Sequence, residues 1–264
     1  MERHVKMSSD MVYEPSRSIA AKLTRRITQR RLAAPAKISL DKPVLSMTFD
    51  DCPASAATTG ADILEAHGVR GGYYIASSLI GEPSHMGVMA DAELLEKLSA
   101  RGHEIAAHSH SHFDCSRNAP DLVEEDVQKN LDFLDRLTNV SFVDSFAYPY
   151  GETSFASKRR LAKHFTNLRG LLPGINSGMV DRAQLRAYEI DRSPQTFERA
   201  MNALDRLSRG TPGWMIAFTH DVSETPSDFG MTPSQLDELI VTAQSKDIDI
   251  LPPGLAARKA GLSR

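Results

Sequence analysis

The chain has 264 residues, 41% of them hydrophobic and 25% charged, and a formal net charge of −3. That balance suits a globular domain, and the mild acidity excludes a nucleic-acid binder that relies on bulk positive charge. Two cysteines cannot build a disulfide framework, and no apolar run reaches the roughly 18 residues of a membrane span.

Residues 1–40 stand apart as a basic N-terminal extension, expected to be partly helical. They lack the apolar core of a signal peptide, so a cytoplasmic location is expected. Arg17, Lys22, Arg25, Arg26, Arg30 and Arg31 crowd a segment in which Ile19, Leu23 and Ile27 recur every fourth residue. The simpler reading is a short helix laying a narrow apolar stripe on the domain. The other is peripheral contact with an anionic membrane surface, which basic amphipathic helices provide.

From residue 41 to 264 short apolar strands alternate with amphipathic helices. Val44–Phe49 reads as a strand, Pro53–His67 as a helix, Gly72–Ala76 as a strand and Asp91–Ala100 as a helix with Asp91 at its N-cap. Strand His103–Ala107, helix Pro120–Thr138, strand Ser141–Ala147 and helix Thr153–Phe165 follow. Apolar pieces near Leu168–Leu172 and Ala187–Ile190 precede helix Pro194–Ser208 and strand Trp214–Thr219. Thr232–Ser245, with Pro233 in its first turn, and Ile248–Leu251 close the pattern. Repeated βα units imply a parallel sheet covered on both faces. About seven of them fit a closed or nearly closed β/α barrel, in one domain.

Three of these strands end in unusual polarity: Asp50-Asp51, His108-Ser-His-Ser-His112 and His220-Asp221. In β/α barrels the chemistry gathers at the C-terminal ends of strands, so parallel strands would bring these groups together. Two adjacent carboxylates repel unless a cation sits beside them. Two imidazoles and a carboxylate form a common divalent-metal set with open positions for water. His108 and His112 fall four apart, which on a coiling loop sets them about 5–6 Å apart on one side. His110 then faces away, and His4, His67, His85, His103 and His164 have no matching partner and read as structural or surface residues.

"TFDD" (48–51), "HSHSH" (108–112), "FAYPYG" (146–151) and "FTHD" (218–221) resemble, in order and spacing, the motifs of the polysaccharide deacetylases, the NodB-homology group or carbohydrate esterase family 4. The resemblance implies an α/β fold, a distorted (β/α) barrel of seven or eight strands, and hydrolysis of N-acetyl groups on amino sugars. It implies that Asp51, His108 and His112 hold a divalent metal. It further makes Asp50 the general base, the Tyr150 backbone N–H the oxyanion donor and His220 the general acid. Zinc is the expected metal, and cobalt, nickel, manganese or iron would also suit the set. An N-acetylated glycan is the expected substrate partner.

The chain departs from the family pattern in three places. Cys52-Pro53 stands where Gly-Pro is usual, and Cys115 follows the ligand region. The two cysteines read as apolar packing, with a fourth ligand or a redox pair as alternatives. Ala147 replaces an Arg that in the family orients the base. The family's Asp-rich stretch ending in Trp is not recognisable; its nearest candidate, Glu189–Ser193, suggests that Arg192 takes over the arginine's task and that Asp191 supports His220. Two other functions stay open: hydrolysis of another small or cyclic amide on the same core, and carbohydrate binding without catalysis.

Overall fold

The computed structural model describes residues 18–138 and 143–264. His4, Arg17 and residues 141–142 of the expected fourth strand lie outside them. In chain order the elements are α1 (Ile19–Arg30), β1 (Pro35–Ile38), β2 (Val44–Asp50), a π-helical turn (Ala56–Gly60) running into α2 (Ala61–Ala66), and β3 (Gly72–Ile75). A small hairpin, β4 (Pro83–Ser84) and β5 (Gly87–Val88), precedes α3 (Ala92–Ala100), β6 (Glu104–Ala107), α4 (Pro120–Thr138) and β7 (Ser145–Ala147). Then come α5 (Phe155–Leu161), β8 (Asn167–Arg169), β9 (Gly178–Asp181), β10 (Tyr188–Glu189) and α6 (Pro194–Arg209). The chain ends with β11 (Trp214–Thr219), α7 (Pro233–Ser245), β12 (Asp249–Ile250) and α8 (Pro253–Lys259).

The parallel strands run in the order β10-β11-β2-β3-β6-β7-β8, with β12 also paired to β2. β2 is buried at all seven positions, as a strand covered on both faces must be. Its polar members are bonded inside the barrel. Ser46 Oγ donates to the Leu251 carbonyl and accepts from Trp214 Nε1, while Thr48 Oγ1 donates to the Ala217 carbonyl. One edge of β2 is shared, Val44–Leu45 pairing with β12 and Thr48–Asp50 with β3. At the open edge, Leu185 N–H donates to the Leu168 carbonyl at 2.7 Å and Gly170 N–H to the Leu185 carbonyl at 2.9 Å. Leu185 lies just before β10, so the sheet curls until its two ends share one segment. This is the distorted barrel of the sequence reading, in one α/β domain.

The helices cover the outside. α6 buries Ala200, Ala203, Leu204 and Leu207, one stripe of an amphipathic helix. Asp91 caps α3 by accepting from Leu94 N–H, and Thr232 with Gln235 forms a reciprocal capping box on α7.

Composition sets residues 1–40 apart, but the packing of the described residues 18–40 does not. β1 pairs antiparallel with β9, and the Asp181 carboxylate accepts from the N–H groups of Ala33 and Ala34. Nζ of Lys158, a fully buried residue of α5, donates to the Thr28 and Arg31 carbonyls at the end of α1 and pairs with Asp181 at 2.6 Å. The apolar stripe expected to lie on the domain does not do so: Leu23 and Ile27 are 58% and 55% exposed. Polar contacts hold α1 instead, with Arg25 Nε on Glu152 at 2.6 Å and the Arg31 guanidinium 3.7 Å from the Phe155 ring centre.

Candidate active site

Asp51, His108 and His112 come together at the C-terminal ends of β2 and β6. One ligand atom from each lies within 4.8 Å of the others. Asp51 Oδ1 is 3.1 Å from His112 Nε2 and 3.7 Å from His108 Nε2. It is buried and accepts no hydrogen bond, an atom placed where a cation would satisfy it. Both imidazoles engage their other nitrogen. His108 Nδ1 is 2.8 Å from the Ala147 carbonyl, to which a proton on that nitrogen donates, turning Nε2 toward Asp51. His112 Nδ1 meets the Tyr150 hydroxyl at 3.1 Å. Such partners orient metal-binding imidazoles. Burial pushes the His108 pKa down to about 4, so the ring is neutral and its lone pair available near neutral pH. Burial also opposes ionisation of Asp51, but the fields of His112, His108, His220 and His85 outweigh it and hold the carboxyl below its usual range. Donor chemistry and the orphaned oxygen both fit a divalent metal.

The loop carrying the two histidines does not coil into a helical turn as expected. Ser109 (φ 65°) and His112 (φ 48°) are left-handed, and α4 clamps the loop from outside. Asp126 accepts from the N–H groups of His110 and Ser111 and from Ser111 Oγ, and the Asn130 carboxamide oxygen accepts from His108 N–H at 3.3 Å. His110 turns away to Ser77 Oγ at 2.9 Å. Asp51, Cys52 and Tyr150 are left-handed too, so among the described non-glycine residues only Asp247 shows a positive φ away from this cluster. Such conformations cost about 1–3 kcal/mol each and persist where surrounding bonds over-determine them.

Asp50 takes a different partner from Asp51. Arg169 Nη2 donates to both of its oxygens, at 2.6 and 2.5 Å. Arg169 is fully buried, with its guanidinium 4.4 Å from the Phe218 ring centre and 5.1 Å from that of Tyr74. Its register partner on the neighbouring strand is Ala147, the position where the sequence lacks the family arginine. The cation has moved one strand over and reaches the carboxylate across the barrel. This corrects the sequence reading, which assigned the task to Arg192. That side chain is 65% exposed and sits 3.3 Å from Asp228. The signal in the sequence is an arginine that ends the short strand Asn167–Arg169 just before Gly170.

His220 follows β11, with Nδ1 3.3 Å from the Phe229 carbonyl and its ring centre 5.6 Å from that of Phe229. Asp191 does not support it. That carboxylate instead accepts from Ser193 N–H and Thr196 Oγ1 at the start of α6, where the macrodipole favours it. Tyr150 (φ 57°) lies in the turn after β7, its ring 4.7 Å from that of His112, and burial raises its phenol to about 12. His85 was read as a surface residue, and it is exposed, but its ring stacks edge-on to Phe229 at 5.4 Å. An open cleft of about 400 Å³ lies beside it, lined by Ala54, Ser55, Asp221 and Ser227 among others. His67, His103 and His164 pair with Asp237, Glu65 and Glu124. Cys52 and Cys115 are buried, their thiols pushed up by burial, and neither belongs to the ligand cluster. Apolar packing accounts for them.

Fold and trio together define a β/α-barrel protein with a candidate metal centre at its strand ends. Comparison with known proteins makes this specific. The polysaccharide deacetylase family model matches residues 37–166. A chitin deacetylase of Arthroderma benhamiae is 22% identical over 195 residues, 74% of this chain and 47% of its own, so the chain spans about half the length of that curated relative. Among solved structures, a mutant of BA3943, a CE4 family pseudoenzyme of Bacillus anthracis, superposes with a TM-score of 0.61 at 16% identity, over 86% of this chain and 72% of its own. A family 4 acetyl xylan esterase of Clostridium thermocellum, in complex with cobalt, gives 0.59 at 19% identity, over 83% and 93%. At these identities the structures speak for the fold. Residues 37–166, about half of the chain, are thus recognised as a polysaccharide deacetylase domain, and the barrel has the fold of carbohydrate esterase family 4.

Proposed function

We propose that the protein is a metal-dependent hydrolase that removes N-acetyl groups from an N-acetylated amino sugar, with zinc as its cation. One observation carries this reading: two carboxylates adjacent in sequence are divided between two environments. Asp51 faces two imidazoles with an oxygen left unbonded, while Asp50 is gripped by a buried guanidinium. Asp51, His108 and His112 would hold the cation, which when bound supplies Lewis acidity toward the acetamide carbonyl and acidifies water. Asp50 accepts the proton of the attacking water, and Arg169 fixes the carboxylate in place for that transfer. The Tyr150 N–H is the proposed donor to the oxyanion that develops on the acetyl carbonyl oxygen. His220, anchored through Nδ1 to the Phe229 carbonyl, keeps Nε2 to protonate the departing amine.

Acetate release from N-acetylglucosamine oligomers by zinc-loaded protein tests this, with Asp50→Asn as the control. Release by the native chain and its loss in the variant are expected. Turnover of a cyclic imide without acetate, or sugar binding without turnover of any substrate, would replace the proposal with one of the other two readings.

A further inference from the structure

Leu23 and Ile27 stand one turn apart on α1 and are 58% and 55% exposed; Leu32, just beyond the helix, is 46% exposed. Arg26 and Arg30 are exposed as well and share that side of the helix, because residues three, four and seven apart lie together. The helix is not free to roll this face inward. Arg25 is tied to Glu152, Lys158 holds the Thr28 and Arg31 carbonyls, and Arg31 lies over Phe155. The charge is equally one-sided. Residues 18–31 hold five basic side chains and no acidic one, leaving the rest of the chain at −8, the net −3 less this +5.

We infer that this face of α1 docks the protein on an anionic lipid bilayer. Leu23 and Ile27 enter the interfacial layer and the arginines meet lipid phosphates. The stripe is narrow and convex, suited to a fluid interface rather than to a preformed groove. The acidic remainder of the chain, repelled by the same surface, fixes which side faces it. Glu152, the partner of Arg25, lies two residues beyond Tyr150, so the docked helix borders the mouth of the candidate site. Docking sets that mouth beside the headgroup layer.

The test is co-flotation of the full chain with phosphatidylcholine vesicles and with vesicles that also contain phosphatidylglycerol. Association with the anionic vesicles alone is expected. It should be largely lost in about 1 M salt, where the Debye length is about 3 Å. Leu23→Asp with Ile27→Asp should weaken it by about tenfold or more. Leu122→Asp, which alters an apolar residue of α4 that is 54% exposed, should leave it unchanged. Circular dichroism reports whether each variant is folded. Ile27→Trp should give a blue-shifted emission on anionic vesicles only, a signal that fully buried Trp214 does not supply. The inference is overturned if the chain ignores anionic vesicles at low salt, or if the double variant binds them as well as the native chain. It is equally overturned if sedimentation shows Leu23 and Ile27 holding two copies together. None of these readouts depends on hydrolysis, so they stand or fall apart from the proposed activity.

Discussion

Both ends of the barrel contain carboxylates wholly or partly withdrawn from water, and the two ends handle them differently. At the C-terminal mouth, Asp50 is gripped by Arg169 and Asp51 by the fields of two imidazoles. At the N-terminal floor, Glu104 opens β6 beside a cavity of about 280 Å³ and accepts hydrogen bonds from neutral donors, the Ser145 hydroxyl and the Gly254 N–H, while nearby Arg258 is paired with Asp144. Burial pushes its pKa up to about 7. The imidazoles around Asp51 hold its carboxyl below the usual range, whereas neutral donors leave Glu104 an acid that keeps its proton up to about neutral pH. Burial alone therefore does not mark the working end. The kind of compensation does.

The largest expected effect lies at the mouth. Asp50→Asn should lower acetate release by about 10²–10⁴-fold, the usual worth of a positioned proton acceptor, while cation binding persists. Loss of binding in that variant would mean that the two carboxylates do not divide their tasks. Next, Arg169→Ala should destabilise the fold by about 3–5 kcal/mol in a denaturant titration, because Asp50 is left buried without its partner. Adding Ala147→Arg, on the adjacent register position, should return part of that loss. A neutral Arg169→Ala would show that Asp50 is not held as described.

The floor gives a smaller effect, with a sign fixed by its pKa. Between 4.5 and about 7 folded Glu104 keeps a proton that the unfolded chain has released. Stability therefore falls as pH rises through that window and stays reduced above it, by on the order of 3 kcal/mol. Glu104→Gln should remove this slope and raise the melting temperature near pH 8. An unchanged pH profile would contradict the contrast between the two ends. The smallest change is Tyr150→Phe, which deletes the hydroxyl on His112 and should weaken cation binding by about 10–100-fold. Calorimetric titration with zinc reads it directly.

The cluster was legible because its members end or follow apolar runs, and a parallel barrel brings such ends together. Strand ends pointed to His108, His112 and one carboxylate of the Asp50-Asp51 pair; that the carboxylate is Asp51 was implied by the family resemblance. Arg169 was not legible, since its bond to Asp50 spans the barrel between strands that are not neighbours, β8 and β2. Sequence showed that an arginine was missing at Ala147, but a register partner is a property of the folded sheet. The same limit explains α1. Its period marked an apolar stripe, yet polar bonds from Glu152 and Lys158 decided which side turned outward. The short β1–β9 and β4–β5 pairs carry too few residues to show a period at all.

The claim that one acidic neighbour binds the cation while the other works on water is tested most directly by metal stoichiometry. Protein dialysed against zinc and measured by elemental analysis should hold a single equivalent in the native chain and in Asp50→Asn, and none in Asp51→Asn. Zinc retained at full occupancy in Asp51→Asn, or none in the native chain, would contradict the account.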